Sequence, residues 1–136
     1  MSDADITEIA DPGTVATAQI AEHLKFLAYE MEAQGEAWFG KHPTHPNLRL
    51  RGLGGGTLIA SFFGLKGEAA AAIRFANELN QKAVVARFLI DPDGDFAMES
   101  WIAAPYDRAA FSSFMDTWQR DFGAVVNHPD AQHLLR

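Results

Sequence analysis

Two segments of this 136-residue chain are apolar on both sides of an extended backbone, which constrains the fold more than any other feature. Successive side chains of a strand point to opposite faces. In Thr57–Leu65, Leu58, Ala60 and Phe62 therefore take one face while Ile59, Phe63 and Leu65 take the other. In Ala83–Ile90 the two sets are Val84, Phe88, Ile90 and Val85, Leu89. An antiparallel strand covered on one side alternates apolar with polar, so these strands need cover on both. Helices of the same chain can supply it. Alternatively part of one face packs on a second subunit or on a client segment, because an apolar patch of that size is rarely left bare and a homodimer is the commonest way to bury it.

The rest of the pattern supplies the helices. Asp11-Pro12-Gly13-Thr14 is a turn with Thr14 as a candidate N-cap, and Ile20, Leu24, Leu27 and Met31 then recur at helical spacing, predicting a helix over Val15–Gln34 that stops at Gly35. Pro43 and Pro46 break any helix, and Leu48–Leu53 and Thr57–Leu65 read as a hairpin joined by Gly54-Gly55-Gly56. Gly67–Asn80 returns to helix through Ala69, Ala72, Ile73, Ala76 and Leu79. Ala83–Ile90 and Phe96–Ala103 form a second hairpin around Asp91-Pro92-Asp93-Gly94-Asp95. Pro105-Tyr106-Asp107 leads into a last helix with one apolar face of Phe111, Phe114, Met115, Trp118, Phe122 and Val125. The expected fold is α+β, an antiparallel sheet with helices in the order α-β-β(-β)-α-β-β-α. The acidic residues 1–13 are expected to be mobile and 14–136 to form one domain, since neither a linker nor a repeat interrupts them.

Charge narrows the partners. Eighteen acidic against eleven basic residues give a net charge of -7, which disfavours phosphate backbones and anionic lipid, so no nucleic acid and no membrane is expected. The imbalance is uneven: residues 1–40 carry -7, 41–90 carry +5 and 91–136 carry -5. Arg49, Arg51, Lys66, Arg74, Lys82 and Arg87 in the middle segment either neutralise the acidic flanks or face outward and steer an acidic client segment. The chain starts without a basic, apolar leader and has no stretch of about 20 apolar residues, and it has no cysteine; a cytoplasmic protein is expected.

No residue set marks a catalytic, cofactor or metal centre. Asp91, Asp93 and Asp95 begin like a calcium loop, but Phe96 and Ile102 stand where such a loop needs Gly and a bidentate Glu, so a tight turn is expected. His42 and His45 share one loop, with His23, His128 and His133 on separate elements, and a surface loop is favoured over a metal site. Gly56-Thr57 lacks the lysine of a phosphate loop and opens a strand rather than a helix, leaving the Gly54–Gly56 turn with its nearby basic residues as a candidate anion nest. Ser61, between Ala60 and Phe62, is in no nucleophile elbow. Trp118 belongs to the apolar face of the last helix, whereas Trp101 has the best claim among the three tryptophans to an exposed contact surface.

Phe75-Ala76-Asn77-Glu78-Leu79-Asn80, followed by Ala86-Arg87-Phe88-Leu89-Ile90-Asp91-Pro92-Asp93-Gly94-Asp95-Phe96-Ala97-Met98-Glu99, resembles the YbjN family of bacterial proteins, described as sensory transduction regulators. The resemblance implies a fold similar to type III secretion chaperones, small α/β proteins that dimerise and hold extended client segments, and it carries no catalytic residues. The expectation is a non-enzymatic, homodimeric, chaperone-like or regulatory domain that binds a protein client through Arg49, Arg51, Ile59, Phe63 and Trp101. The alternative is a small-ligand or anion sensor built on the glycine turn.

Overall fold

A computed structural model describes residues 11–136. The expected mobility of residues 1–13 concerns mainly residues outside the described ones. Among the described residues the fold is α+β, with the order α1 (Pro12–Phe26), β1 (Glu30–Gln34), β2 (Ala37–Lys41), β3 (Leu48–Leu53), β4 (Gly56–Phe63), α2 (Ala69–Lys82), β5 (Arg87–Ile90), β6 (Phe96–Ala103), α3 (Arg108–Val126) and α4 (Ala131–Leu134). The strands form one six-stranded antiparallel sheet in the order β1-β2-β3-β4-β6-β5. The described residues fall into two compact units: residues 11–59 with 101–108, and residues 60–100 with 109–136. No helix among the described residues is long and apolar enough to cross a membrane.

The first unit departs from the sequence reading at its first helix. Asp11, not Thr14, is the N-cap: its Oδ2 accepts from the backbone N–H of Gly13 at 2.9 Å and of Thr14 at 3.2 Å, and Pro12 takes the first helical position, where its missing N–H costs nothing. The helix stops at Phe26 rather than Gln34. Ala28 adopts a left-handed φ of 71°, and the N–H groups of Ala28 and Tyr29 turn back to the carbonyls of Lys25 at 3.1 Å and Leu24 at 3.0 Å. That is a Schellman termination with alanine where glycine is usual, which hid it from a reading that looked for glycine. Met31 therefore lies on a strand. β1 pairs β2 from Glu30↔Lys41 to Gln34↔Ala37 around a two-residue turn, with Gly35 at φ 61°.

β2 continues into β3 with Trp38↔Leu50 and Phe39↔Arg49 in register. Leu48 and Leu50 are buried with Ala16, Ile20 and Leu24 of α1, so helix and strand form the core of this unit. A buried hydroxyl pair, Thr17 Oγ1 to Thr57 Oγ1 at 2.6 Å, joins α1 to β4. Gly54 and Gly55 both have positive φ, 57° and 76°, as a two-residue type I′ hairpin requires. Gly56 is needed for another reason: a side chain there would strike the carbonyl oxygen of Ile102 and the indole ring of Trp101.

In the second unit Phe96 is the hub of an aromatic core, with ring centroids 5.1 Å from Phe75, 5.7 Å from Phe88 and 6.1 Å from Phe63. Trp118, Met115 and Val125 are buried on α3, and Trp118 lies in the core as its place on the apolar stripe implies. The expected strand over Ala83–Ile90 is shorter, because Asp121 captures its first half. The buried Asp121 carboxylate accepts from the backbone N–H groups of Val84, Val85 and Ala86 at 2.8–3.1 Å, curling 84–86 around an anion instead of into a ladder. The chain end returns to the segment after β4, where Arg136 N–H donates to the Gly64 carbonyl and Lys66 N–H to the Leu134 carbonyl, both at 2.9 Å.

Candidate protein-binding surface

Alternation along the first three strands sorts their side chains. Leu48 and Leu50 point to the buried side with Trp38 and Gly40 opposite them, so Glu30, Glu32, Gln34, Ala37, Phe39, Lys41, Arg49 and Arg51 share the other face. Along one row of that face Glu32, Phe39 and Arg49 lie side by side; along the next lie Gln34, Ala37 and Arg51. Leu53, two residues beyond Arg51 on β3, touches Trp101, whose Nε1–H donates to the Leu53 carbonyl at 2.7 Å. Trp101 is 48% exposed and its ring roofs Gly56 at the hairpin end.

Of the five residues singled out from the sequence, Arg49, half-buried, and Arg51, exposed, share this face, and Trp101 lies against Leu53 at the end of β3. The other two lie elsewhere. Ile59 is 0% exposed and is a core residue with no side-chain surface to offer a partner. Phe63 is half-buried in the second unit, stacked on Phe122 at 5.9 Å. β4 is buried continuously from Gly56 to Ser61, so the apolar second face that argued for a homodimer is covered within the chain along that stretch.

Sequence reasoning missed β1, whose free side is the outermost line of the sheet. A β-turn joins the carbonyl of its first residue to the N–H of its fourth, so Gln34↔Ala37 is a hydrogen-bonded pair, and such pairs alternate along an antiparallel ladder. The N–H and C=O groups of Met31 and Ala33 consequently point away from β2. Among the described residues nothing bonds to them. The side chain of Met31 lies over Gly40, where a Cβ would collide with its sulfur, so the hairpin is fixed while its outer edge stays open. The signal that could have found the strand is the turn, Gln34-Gly35-Glu36-Ala37, after a segment in which Glu30, Glu32 and Gln34 alternate with Met31 and Ala33.

The polar clusters are consumed by structure. His42 Nδ1 accepts from the N–H groups of Thr44 at 3.0 Å and His45 at 3.2 Å, which places its proton on Nε2, facing the Leu27 carbonyl at 3.1 Å. Both nitrogens being used, His42 clasps the loop instead of ligating a metal. His45 packs against it at 4.4 Å, and burial, then the neighbouring His42, lowers the His45 pKa. Tyr29 stacks on the same pair, and burial pushes its pKa up to about 12. Glu78, His128 and Asp130 form a three-residue group with metal-ligating side chains. There too the Asp130 N–H donates to Nδ1 at 3.0 Å, leaving Nε2–H to donate to Glu78 at 3.0 Å, a tautomer that turns a proton, not a lone pair, toward the carboxylate. Asp91 closes its own turn, its Oδ1 accepting from the N–H groups of Asp93 and Asp95.

No family model, no curated protein and no solved structure matches the chain.

Proposed function

We propose that this protein is a non-enzymatic protein-binding domain that takes an extended segment of a partner along β1 as an added strand. The observation that carries the reading is the open β1 edge, with the outward N–H and C=O groups of Met31 and Ala33 unpaired among the described residues. Strand addition to such an edge draws affinity from main-chain bonds and specificity from alternate side chains. Glu30 and Glu32 flank the edge on the exposed face, which favours a segment with a basic residue at every second position. A second copy offers the wrong chemistry: antiparallel β1–β1 pairing centred on Met31 or Glu32 sets glutamate against glutamate, and like charges directly opposite are destabilising. Phe39, Arg51, Leu53 and Trp101 extend the contact surface beyond the edge. The resemblance of Phe75–Glu99 to the YbjN family adds a bacterial regulatory or type III secretion chaperone-like setting to this reading.

The test is binding of a short peptide alternating lysine with valine, read by fluorescence anisotropy. Saturable binding that Ala33→Pro abolishes, with unchanged circular dichroism, supports strand addition, because proline removes one outward N–H and no ladder bond. Equal binding of the glutamate–valine peptide, or binding indifferent to Ala33→Pro, overturns it. Light scattering on the free chain reports self-association separately.

A further inference from the structure

A cavity of about 240 Å³ with no β1 residue in its wall is lined by Gln19, Glu22, His23 and Phe26 along one side of α1 and by Tyr106 and Arg108. Three features of its wall point to a ligand. Phe26 is 87% exposed, the most exposed large apolar side chain among the described residues, and its ring has no protein surface against it on the open side. Arg108 has no carboxylate partner among the described residues, whereas Glu22, the acidic group of the wall, is already paired with Lys25 at 2.9 Å. His23 and Tyr106 are locked together edge to face, Nδ1 to Oη at 2.6 Å, which gives this part of the wall a fixed shape. Burial, then the Arg108 charge, lowers the His23 pKa, so the ring is neutral at pH 7 and adds no cation of its own.

We infer that this cavity is a binding site for a small aromatic carboxylate, its ring laid on Phe26 and its carboxylate on the Arg108 guanidinium. A planar guanidinium receives a carboxylate by two parallel N–H···O bonds, and aromatic rings favour offset or edge contact over solvent. The volume is below the roughly 300–1,000 Å³ of pockets for drug-sized ligands, which selects a single-ring compound. The site is separate from the partner surface and independent of that reading.

Benzoate is the probe, titrated into the full chain and followed by ligand-observed and ¹H–¹⁵N NMR. The expected result is saturable binding that shifts the signals of Phe26, His23 and Tyr106, weakened about tenfold by Arg108→Gln and, separately, by Phe26→Ala. Benzamide, which keeps the ring and loses the charge, is expected to bind about tenfold more weakly, and cyclohexanecarboxylate is expected to lose the contribution of Phe26. Both substituted side chains are exposed, so the variants fold, and an unchanged amide spectrum away from the cavity verifies it. Absence of saturable benzoate binding, or binding that neither variant weakens, overturns the assignment.

Discussion

The two outermost strands of the sheet are treated in opposite ways. β5 is closed. The Asn80 side chain lies along it as a one-residue substitute for a neighbouring strand, its Nδ2 donating to the Phe88 carbonyl and its Oδ1 accepting from the Phe88 N–H, both at 2.8 Å. Just before β5 the chain is wrapped around the Asp121 carboxylate, and Arg87 is paired with Glu99 across to β6. β1 has none of these devices among the described residues; its only protection is charge, Glu30 and Glu32. Proteins blunt exposed edges because they template pairing with other chains. An edge left with its backbone available and its side chains charged disfavours pairing with its own copy, where like charges fall opposite each other, and the proposed partner segment is of opposite sign.

Removing the devices on the β5 side should cost most. Asp121→Ala strands three backbone N–H groups that now meet a carboxylate, and is expected to lower stability by about 3 kcal/mol, measured by urea unfolding, with accelerated hydrogen exchange at Val84, Val85 and Ala86. Asn80→Ala removes two bonds and is expected to cost about 2 kcal/mol. It also opens β5, so self-association visible by light scattering in this variant, and absent in the parent, would sharpen the contrast between the edges; a variant as stable as the parent would break it. On the β1 side the effects are smaller. Ala28→Gly relieves a left-handed alanine at the end of α1 and is expected to raise stability by about 1 kcal/mol, a gain that thermal unfolding detects.

The pH response should separate the same regions. His23 and His45 lie in the first unit and both have lowered pKa values, each mainly from burial. A histidine depressed in the folded state stabilises it above the unfolded value of about 6.5, and that contribution is lost as the pH falls through the lowered pKa. Tyr29, raised to about 12, acts at the other end: its contribution is complete below about 10 and is lost as the pH climbs toward 12. Protection factors below pH 6 are therefore expected to fall first in the unit that contains α1 and β1, and uniform loss of protection across both units would contradict this.

Much of this was legible in the chain. The doubly apolar strand at Thr57–Leu65 did require cover on both faces, and Gly56–Ser61 is buried. The α+β order, the glycine hairpin and the core position of Trp118 also follow from local pattern, because each depends on residues close in sequence. What could not be read depended on partners far along the chain. Asp121 lies 35 residues from Ala86, and nothing local marks it as the carboxylate that delays the start of β5 to Arg87. Gly56 looked like turn punctuation, but its reason is the Trp101 ring, and Ile59 looked available because periodicity cannot tell which apolar face is already covered. The β1 edge was hidden by helical spacing that ran on past a termination made with alanine.

The most direct test of the account is amide hydrogen exchange on the parent chain with and without the lysine–valine peptide. New protection is expected at Met31 and Ala33 and no change at Phe88, whose outward groups Asn80 already holds. Protection at Phe88, or none at Met31 and Ala33 while the peptide is bound, would contradict it.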